Sequence, residues 1–131
     1  MVAKLAARDR EVRAHEAAHA ALAGGLAVGG PRFDYQTGPD GKMYAIGGEV
    51  RLNITQGRTP EETIARARQI RAAALAPGDP STSDLAVAIS AARMEDEARQ
   101  SRAAEAAALT ISSSAQLARQ PVANSGGASS K

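Results

Sequence analysis

The segment His15-Glu16-Ala17-Ala18-His19 contains both histidines of the chain and is the part of the sequence best suited to chemistry. Residues four apart on an α-helix lie on one face, so two imidazoles at this spacing can reach a single metal ion. Imidazole is a common zinc ligand, and a catalytic zinc site has three protein ligands and one open position. Glu16 is then placed to act as a general base that takes a proton from water and passes it to a leaving amine. The pattern predicts a zinc site of the metallopeptidase type, with Glu16 as the catalytic residue.

The third metal ligand must be a carboxylate, because the chain has no further histidine and no cysteine. Glu49 is the first choice, since it is a lone acid beside Gly47-Gly48, where the backbone can approach closely. A simpler interpretation of Glu49 is a solvated strand residue that pairs with Arg51. Glu62 and Asp84 are the alternatives, although a place at the start of a helix explains each of them equally well.

The elements that must position these residues predict an α+β fold. Residues 4–23 lack glycine and proline and are rich in alanine, arginine and glutamate, which favours a helix that ends at Gly24-Gly25. Residues 33–54 are predicted to form a β-hairpin, because Pro39-Asp40-Gly41 is typical of a turn. One strand face should pack on the core, because apolar residues there share even parity: Tyr44, Ile46, Val50, Leu52 and Ile54.

Glu49 falls on the opposite face of that strand if the register is continuous, and a bulge at Gly47-Gly48 would change this. Tyr35 and Tyr44 lie in the same hairpin and are candidate hydrogen-bond donors to a developing oxyanion. Packing in the core is the alternative role for both tyrosines.

Two further helices are predicted after the hairpin. Thr59-Pro60-Glu61-Glu62 has the residues of a helix start, and this second helix should reach about Ala76, before Pro77. A third should begin between Ser81 and Asp84 and end near Leu109. Residues 1–110 are predicted to form one zincin-like domain, and residues 111–131, rich in Ser, Ala and Gly, a disordered tail.

Charge and hydropathy limit the possible partners. Arg119 and Lys131 account for the formal net charge of +2, so residues 1–110 are neutral overall and nothing indicates nucleic-acid binding. No apolar run approaches the length of a membrane span, and no signal-peptide pattern follows Met1. The expectation is a soluble cytoplasmic protein with a peptide or protein substrate and no membrane partner. The abrupt start at a charged helix is also compatible with a fragment.

Three segments of the chain, residues 8–19, 35–50 and 70–77, resemble the SprA-related family, a bacterial family described as metalloproteases. The resemblance covers roughly residues 5–100 in the same order and omits the Ser-rich tail. It implies a zinc-dependent peptidase in which His15, Glu16 and His19 are ligand, base and ligand. Glu49 matches the Gly-Gly-Glu-Val segment of the family.

Two functions from different classes remain open at this point. The first is a zinc metallopeptidase that hydrolyses peptide bonds. The second is a non-catalytic, metal-stabilised helical interaction module, motivated by the small size of the chain and its shortage of large apolar residues. A coiled-coil partner that binds through the third helix is a weaker reading, because Leu85, Ile89 and Met94 do not sustain a heptad. The sequence does not determine the oligomeric state.

Overall fold

The structure, a computed structural model, describes residues 1–119 of the chain. Within this range it contains three helices and a two-stranded antiparallel sheet, which confirms the predicted α+β class. The elements, in chain order, are α1 (Val2–Ala23), β1 (Arg32–Thr37), β2 (Met43–Glu49), α2 (Pro60–Ala74) and α3 (Thr82–Arg119). A single 3-10 turn, Gly24–Leu26, follows α1.

Helix α1 packs on β2 and α2, and α2 packs on α3. The core between these elements consists largely of alanine, and Ile70 of α2 is its largest fully buried side chain. Small side chains let the helices approach closely, but each contributes little apolar area. The fold therefore has a thin core, as the composition predicted.

The hairpin is attached to α1 through the backbone of β2. Ala45 is fully buried, and its N–H donates to Asp9 Oδ1 at 2.7 Å. This hydrogen bond lowers the pKa of Asp9 below its ordinary value. The register shifts between Asp34 and Tyr35, so that Ile46 has no partner residue, and the Ile46 carbonyl accepts from Arg8 Nε instead.

The structure differs from the sequence prediction in which face of β2 is buried and in where the strand ends. Ala45 is the buried residue of β2, whereas its even-parity neighbours are only partly covered. The strand also ends at Glu49, not at Ile54, because residues 51–53 pair with residues 26–28 instead of continuing along β1. An extra residue in one strand reverses the side on which later side chains lie, which alternation alone cannot reveal.

The two later helices begin where the sequence predicts. Thr59 Oγ1 accepts from the N–H of Glu62 at 3.1 Å, which confirms the predicted helix start, and α2 ends at Ala74. Helix α3 extends beyond the predicted end near Leu109 to Arg119, because the chain has no glycine or proline between Pro80 and Pro121. The predicted disordered segment, residues 111–131, overlaps this helix at its start and otherwise lies outside the described residues. Among residues 1–119, no helix is both long and apolar enough to cross a bilayer.

Candidate metal centre

Three side chains converge between α1 and the first turn of α3. His15 Nε2 lies 3.2 Å from His19 Nε2 and 3.0 Å from Asp84 Oδ2, and His19 Nε2 lies 3.1 Å from Asp84 Oδ1. All three ligand atoms fall within 4.8 Å of one another. His19 is buried, and His15 and Asp84 are partly buried. The structure thus brings both predicted histidines together with one of the three carboxylates considered from the sequence.

Local helix geometry explains how these side chains come to face each other. His15 and His19 are one turn apart on α1, so their rings stack along the same face. Asp84 is held by a reciprocal cap at the start of α3, in which Ser81 N–H donates to Asp84 Oδ2 at 2.8 Å and Asp84 N–H donates to Ser81 Oγ at 3.0 Å. The cap limits the rotamers of Asp84 and directs its carboxylate toward α1.

A hydrogen bond at the far side of the ring assigns the tautomer of His19. His19 Nδ1 lies 2.7 Å from the carbonyl oxygen of Ala73, which can only accept, so Nδ1 carries the proton and Nε2 presents a lone pair. His15 has a carboxylate near each ring nitrogen, with Nδ1 3.5 Å from Asp79 Oδ1 and Nε2 3.0 Å from Asp84 Oδ2. Such outer partners are usual for histidines that bind metals.

The lone pair of His19 Nε2 and the Asp84 carboxylate face each other at 3.1 Å and repel unless a proton or a metal ion lies between them. Ligands about 2.1 Å from a tetrahedral zinc ion lie about 3.4 Å apart, close to the separations of 3.0–3.2 Å seen here. The two imidazoles and one carboxylate are also a ligand set that zinc commonly accepts. The residues present therefore fit a divalent cation such as zinc.

The Asp84 carboxylate is ionised in this arrangement. Its burial raises the pKa, but hydrogen bonds from Ser81 and the nearby imidazoles outweigh that effect and hold the pKa below its ordinary value. An ionised carboxylate is the form that binds a metal ion.

Glu16 lies beside the two histidines and is 4% exposed. Its Oε1 atom is buried without a hydrogen-bond partner among the described residues. Burial raises the pKa of this carboxyl group above its ordinary value. A buried, unpaired carboxylate oxygen is costly, which makes it an unusual feature for a residue with only a structural role.

Gly48 provides the space that Glu16 occupies. A Cβ atom at position 48 would lie 2.9 Å from Glu16 Cγ and 2.8 Å from the carbonyl oxygen of Arg32. At Gly47 the nearest atom would be 3.5 Å away, an ordinary contact. The close approach of backbone predicted at Gly47-Gly48 is therefore confirmed at Gly48, and the side chain it accommodates is that of Glu16.

The cluster opens onto a cleft of about 530 Å³. Its polar lining residues are His15, Glu16, His19, Glu49, Arg51, Ser81, Ser83 and Asp84, and its larger apolar ones are Val50, Leu52, Ile54 and Val87. The volume lies within the range of small-molecule and peptide-binding sites. A metal held by the cluster would be reachable from this cleft.

The other residues considered from the sequence lie elsewhere. Glu49 lines the cleft, but its side chain is exposed and its Oε2 accepts from Arg51 Nε at 3.3 Å. Its role as the third ligand stays a prediction. Glu62 is exposed on α2 and lies 3.6 Å from Arg66 Nη2.

Neither tyrosine is among the residues that line the cleft. Tyr44 donates to Asp40 Oδ2 in the hairpin turn, and this hydrogen bond raises the pKa of the Tyr44 phenol. Tyr35 packs near Phe33 and remains half exposed. Asp84 could have been preferred from the sequence on one signal, the Ser81-x-x-Asp84 cap, which fixes a carboxylate at the first turn of a helix.

Comparisons with known proteins support a family assignment. The family model of the SprA-related family matches residues 1–118. Comparisons with curated proteins and with solved structures gave no significant match. The match spans nearly all of the described residues, and the chain therefore belongs to the SprA-related family.

Proposed function

We propose that the chain is a zinc-dependent peptidase in which His15, His19 and Asp84 hold the metal and Glu16 is the general base. One observation carries the proposal: three lone-pair atoms converge beside a buried carboxyl group whose Oε1 has no partner among the described residues, at the wall of a cleft. A peptide or protein substrate and a cytoplasmic location, both predicted from the sequence, belong to this proposal.

The chemistry divides between the metal and the chain. When bound, zinc supplies the Lewis acidity that activates water and polarises a peptide carbonyl. Glu16 accepts a proton from the attacking water at a carboxylate oxygen and delivers it to the nitrogen of the departing amine. Burial raises the pKa of Glu16, which makes the carboxylate a stronger base than an exposed glutamate.

Other residues of the chain position the proposed ligands. The Ala73 carbonyl fixes the ring of His19, and Ser81 fixes the carboxylate of Asp84. Ala73 is fully buried, and Ser81 lies directly before α3, so both contacts hold the ligands in place before a metal binds. Glu16 is shielded from bulk water by the close approach of Gly48.

Metal content tests the first half of the proposal. Purified wild-type protein, supplied with zinc and dialysed, is expected to hold about one zinc per chain by elemental mass spectrometry. The double variant His15→Ala/His19→Ala is expected to hold none. Equal zinc contents in the two proteins would show that the histidines are not ligands.

Proteolysis tests the second half. Zinc-loaded wild type is expected to cleave unfolded casein, and Glu16→Gln is expected to keep its zinc but to lose activity roughly 100-fold or more, the usual contribution of a general base. Glu11→Gln is a matched control, since Glu11 is an exposed glutamate of the same helix. Equal rates for wild type and Glu16→Gln would refute catalysis by this residue.

A second candidate function is a metal-stabilised module without catalysis. The observation that favours it is that α1 packs mainly on β2 and α2, so the contacts of Asp84 with the histidines are a principal link between α1 and α3. In that case zinc raises the melting temperature and Glu16→Gln has no effect on casein, which neither protein cleaves.

A further inference from the structure

Part of the cleft beside the histidines has an apolar wall. It is made by the irregular segment that follows β2 and by the first turns of α3, and its members are Val50, Leu52, Ile54 and Val87. Ile54 is 55% exposed, so its side chain is accessible to a ligand in the cleft. Two charged residues that also line the cleft, Glu49 and Arg51, are exposed and pair with each other, and its other acids, Glu16 and Asp84, lie beside the histidines.

A second cavity, of about 50 Å³, is lined by two of the same residues. Ile54 and Val87 border both spaces, and the second one is completed by Ile70, Ser90, Ala91 and Met94. Its volume is several times the roughly 10–15 Å³ that one water molecule needs, but its largely apolar lining offers water few hydrogen bonds. The apolar wall therefore continues into space between α2 and α3 that is better suited to hydrocarbon than to water.

We propose that this wall, together with the cavity behind Ile54 and Val87, is a specificity pocket for an aliphatic side chain of the substrate. The inference rests on the proposed function, because it places that side chain next to the bond that Glu16 and the metal act on. Peptides that place leucine in this pocket bind more tightly than peptides that place a polar residue of the same shape there. The preference arises because leucine loses contact with water there, whereas asparagine loses hydrogen bonds that the wall cannot replace.

Binding measures this preference without relying on activity. The protein used is Glu16→Gln supplied with zinc, so that a bound peptide is not consumed. The ligands are two blocked pentapeptides, acetyl-Ala-Ala-Leu-Ala-Ala-amide and its asparagine counterpart, titrated by calorimetry or NMR. We expect the leucine peptide to bind roughly 10-fold or more tightly, the value expected for burial of one aliphatic side chain.

Two isoleucines provide a matched pair of variants. Ile54 and Ile89 are each 55% exposed, but only Ile54 is among the residues that line the cleft. Ile54→Ser is expected to reduce the preference for leucine to about 2-fold or less, and Ile89→Ser is expected to leave it unchanged. The melting temperature of each variant shows whether it is folded.

Equal binding of the two peptides, no binding of either, or the same loss in Ile54→Ser and Ile89→Ser would overturn the pocket. These outcomes differ from failure of the proposed function. If the leucine peptide binds with the expected preference but casein is not cleaved, the pocket is supported and the proposed peptidase activity is refuted. If casein is cleaved in a reaction that depends on Glu16 but the two peptides bind equally, the peptidase activity is supported and the pocket is refuted.

Discussion

Comparison of Asp84→Ala with Ser81→Ala separates two roles of Asp84, its contact in the helix cap of α3 and its proposed role as a metal ligand. Asp84→Ala removes both, whereas Ser81→Ala removes the acceptor for Asp84 N–H but keeps the carboxylate and the Ser81 backbone N–H that positions it. Loss of a cap costs about 0.5–2 kcal/mol. At about 4 °C per kcal/mol for a domain of this size, both variants should melt roughly 2–8 °C below wild type when no metal is present.

Zinc should then distinguish the two variants. At a free zinc concentration 100 times the dissociation constant, binding stabilises the wild type by about 2.7 kcal/mol, or about 11 °C in Tm. If loss of one ligand weakens binding roughly 100-fold, only about 0.4 kcal/mol, or about 2 °C, remains in Asp84→Ala at the same zinc concentration. Ser81→Ala should keep nearly the whole zinc-induced shift, because its carboxylate is still in place.

Differential scanning fluorimetry of the three proteins with and without zinc measures the metal-free melting temperatures and the zinc-induced shifts. A zinc-induced shift in Asp84→Ala equal to that of wild type would refute the assignment of Asp84 as a ligand. Glu49→Gln is the companion variant and is expected to show the full shift, since Glu49 is exposed and pairs with Arg51. Loss of the shift in Glu49→Gln and its retention in Asp84→Ala would instead support the ligand predicted from the sequence.

Two further predictions concern stability. Gly48→Ala is expected to lower the free energy of unfolding by about 1–3 kcal/mol, because its Cβ would lie 2.8 Å from a carbonyl oxygen. Gly47→Ala is the control, since the nearest atom to its Cβ would be 3.5 Å away, and it should change the free energy of unfolding by less than about 0.5 kcal/mol. Urea titrations measure both values. Glu95 is buried, and a hydrogen bond from Arg99 holds the pKa of its carboxyl group below the ordinary value of 4.5. The ionised carboxylate therefore contributes fully to the free energy of unfolding above pH 4.5, and this contribution is lost as the pH falls through the lowered pKa. The unfolding midpoint of Glu95→Gln should therefore fall less steeply than that of wild type below about pH 4.5, whereas exposed Glu97→Gln should follow wild type.

Much of the fold and two of the three residues of the candidate metal site could be predicted from local patterns. The spacing of His15 and His19 places their rings on one helix face whatever the rest of the chain does, because the helical repeat is set by the backbone. The turn at residues 39–41 and the helix start at Thr59 were predictable for the same reason, since each depends on residues that are neighbours in the chain.

The third member of the cluster, the carboxylate of Asp84, depends on the tertiary structure. Asp84 is 69 residues from His15 in the chain, and its distance from the imidazoles results from the packing of α1 on α2 and of α2 on α3. The packing of α1 on β2 likewise decided that Ala45, and not the even-parity residues, is buried in β2. The burial of Glu16 likewise depends on a distant segment, since Gly48 of β2 lies against its side chain. The sequence by itself determined that both histidines lie on one face of α1, because helical periodicity is local. Packing between distant elements decided that Asp84 joins them while Glu49 stays exposed to solvent.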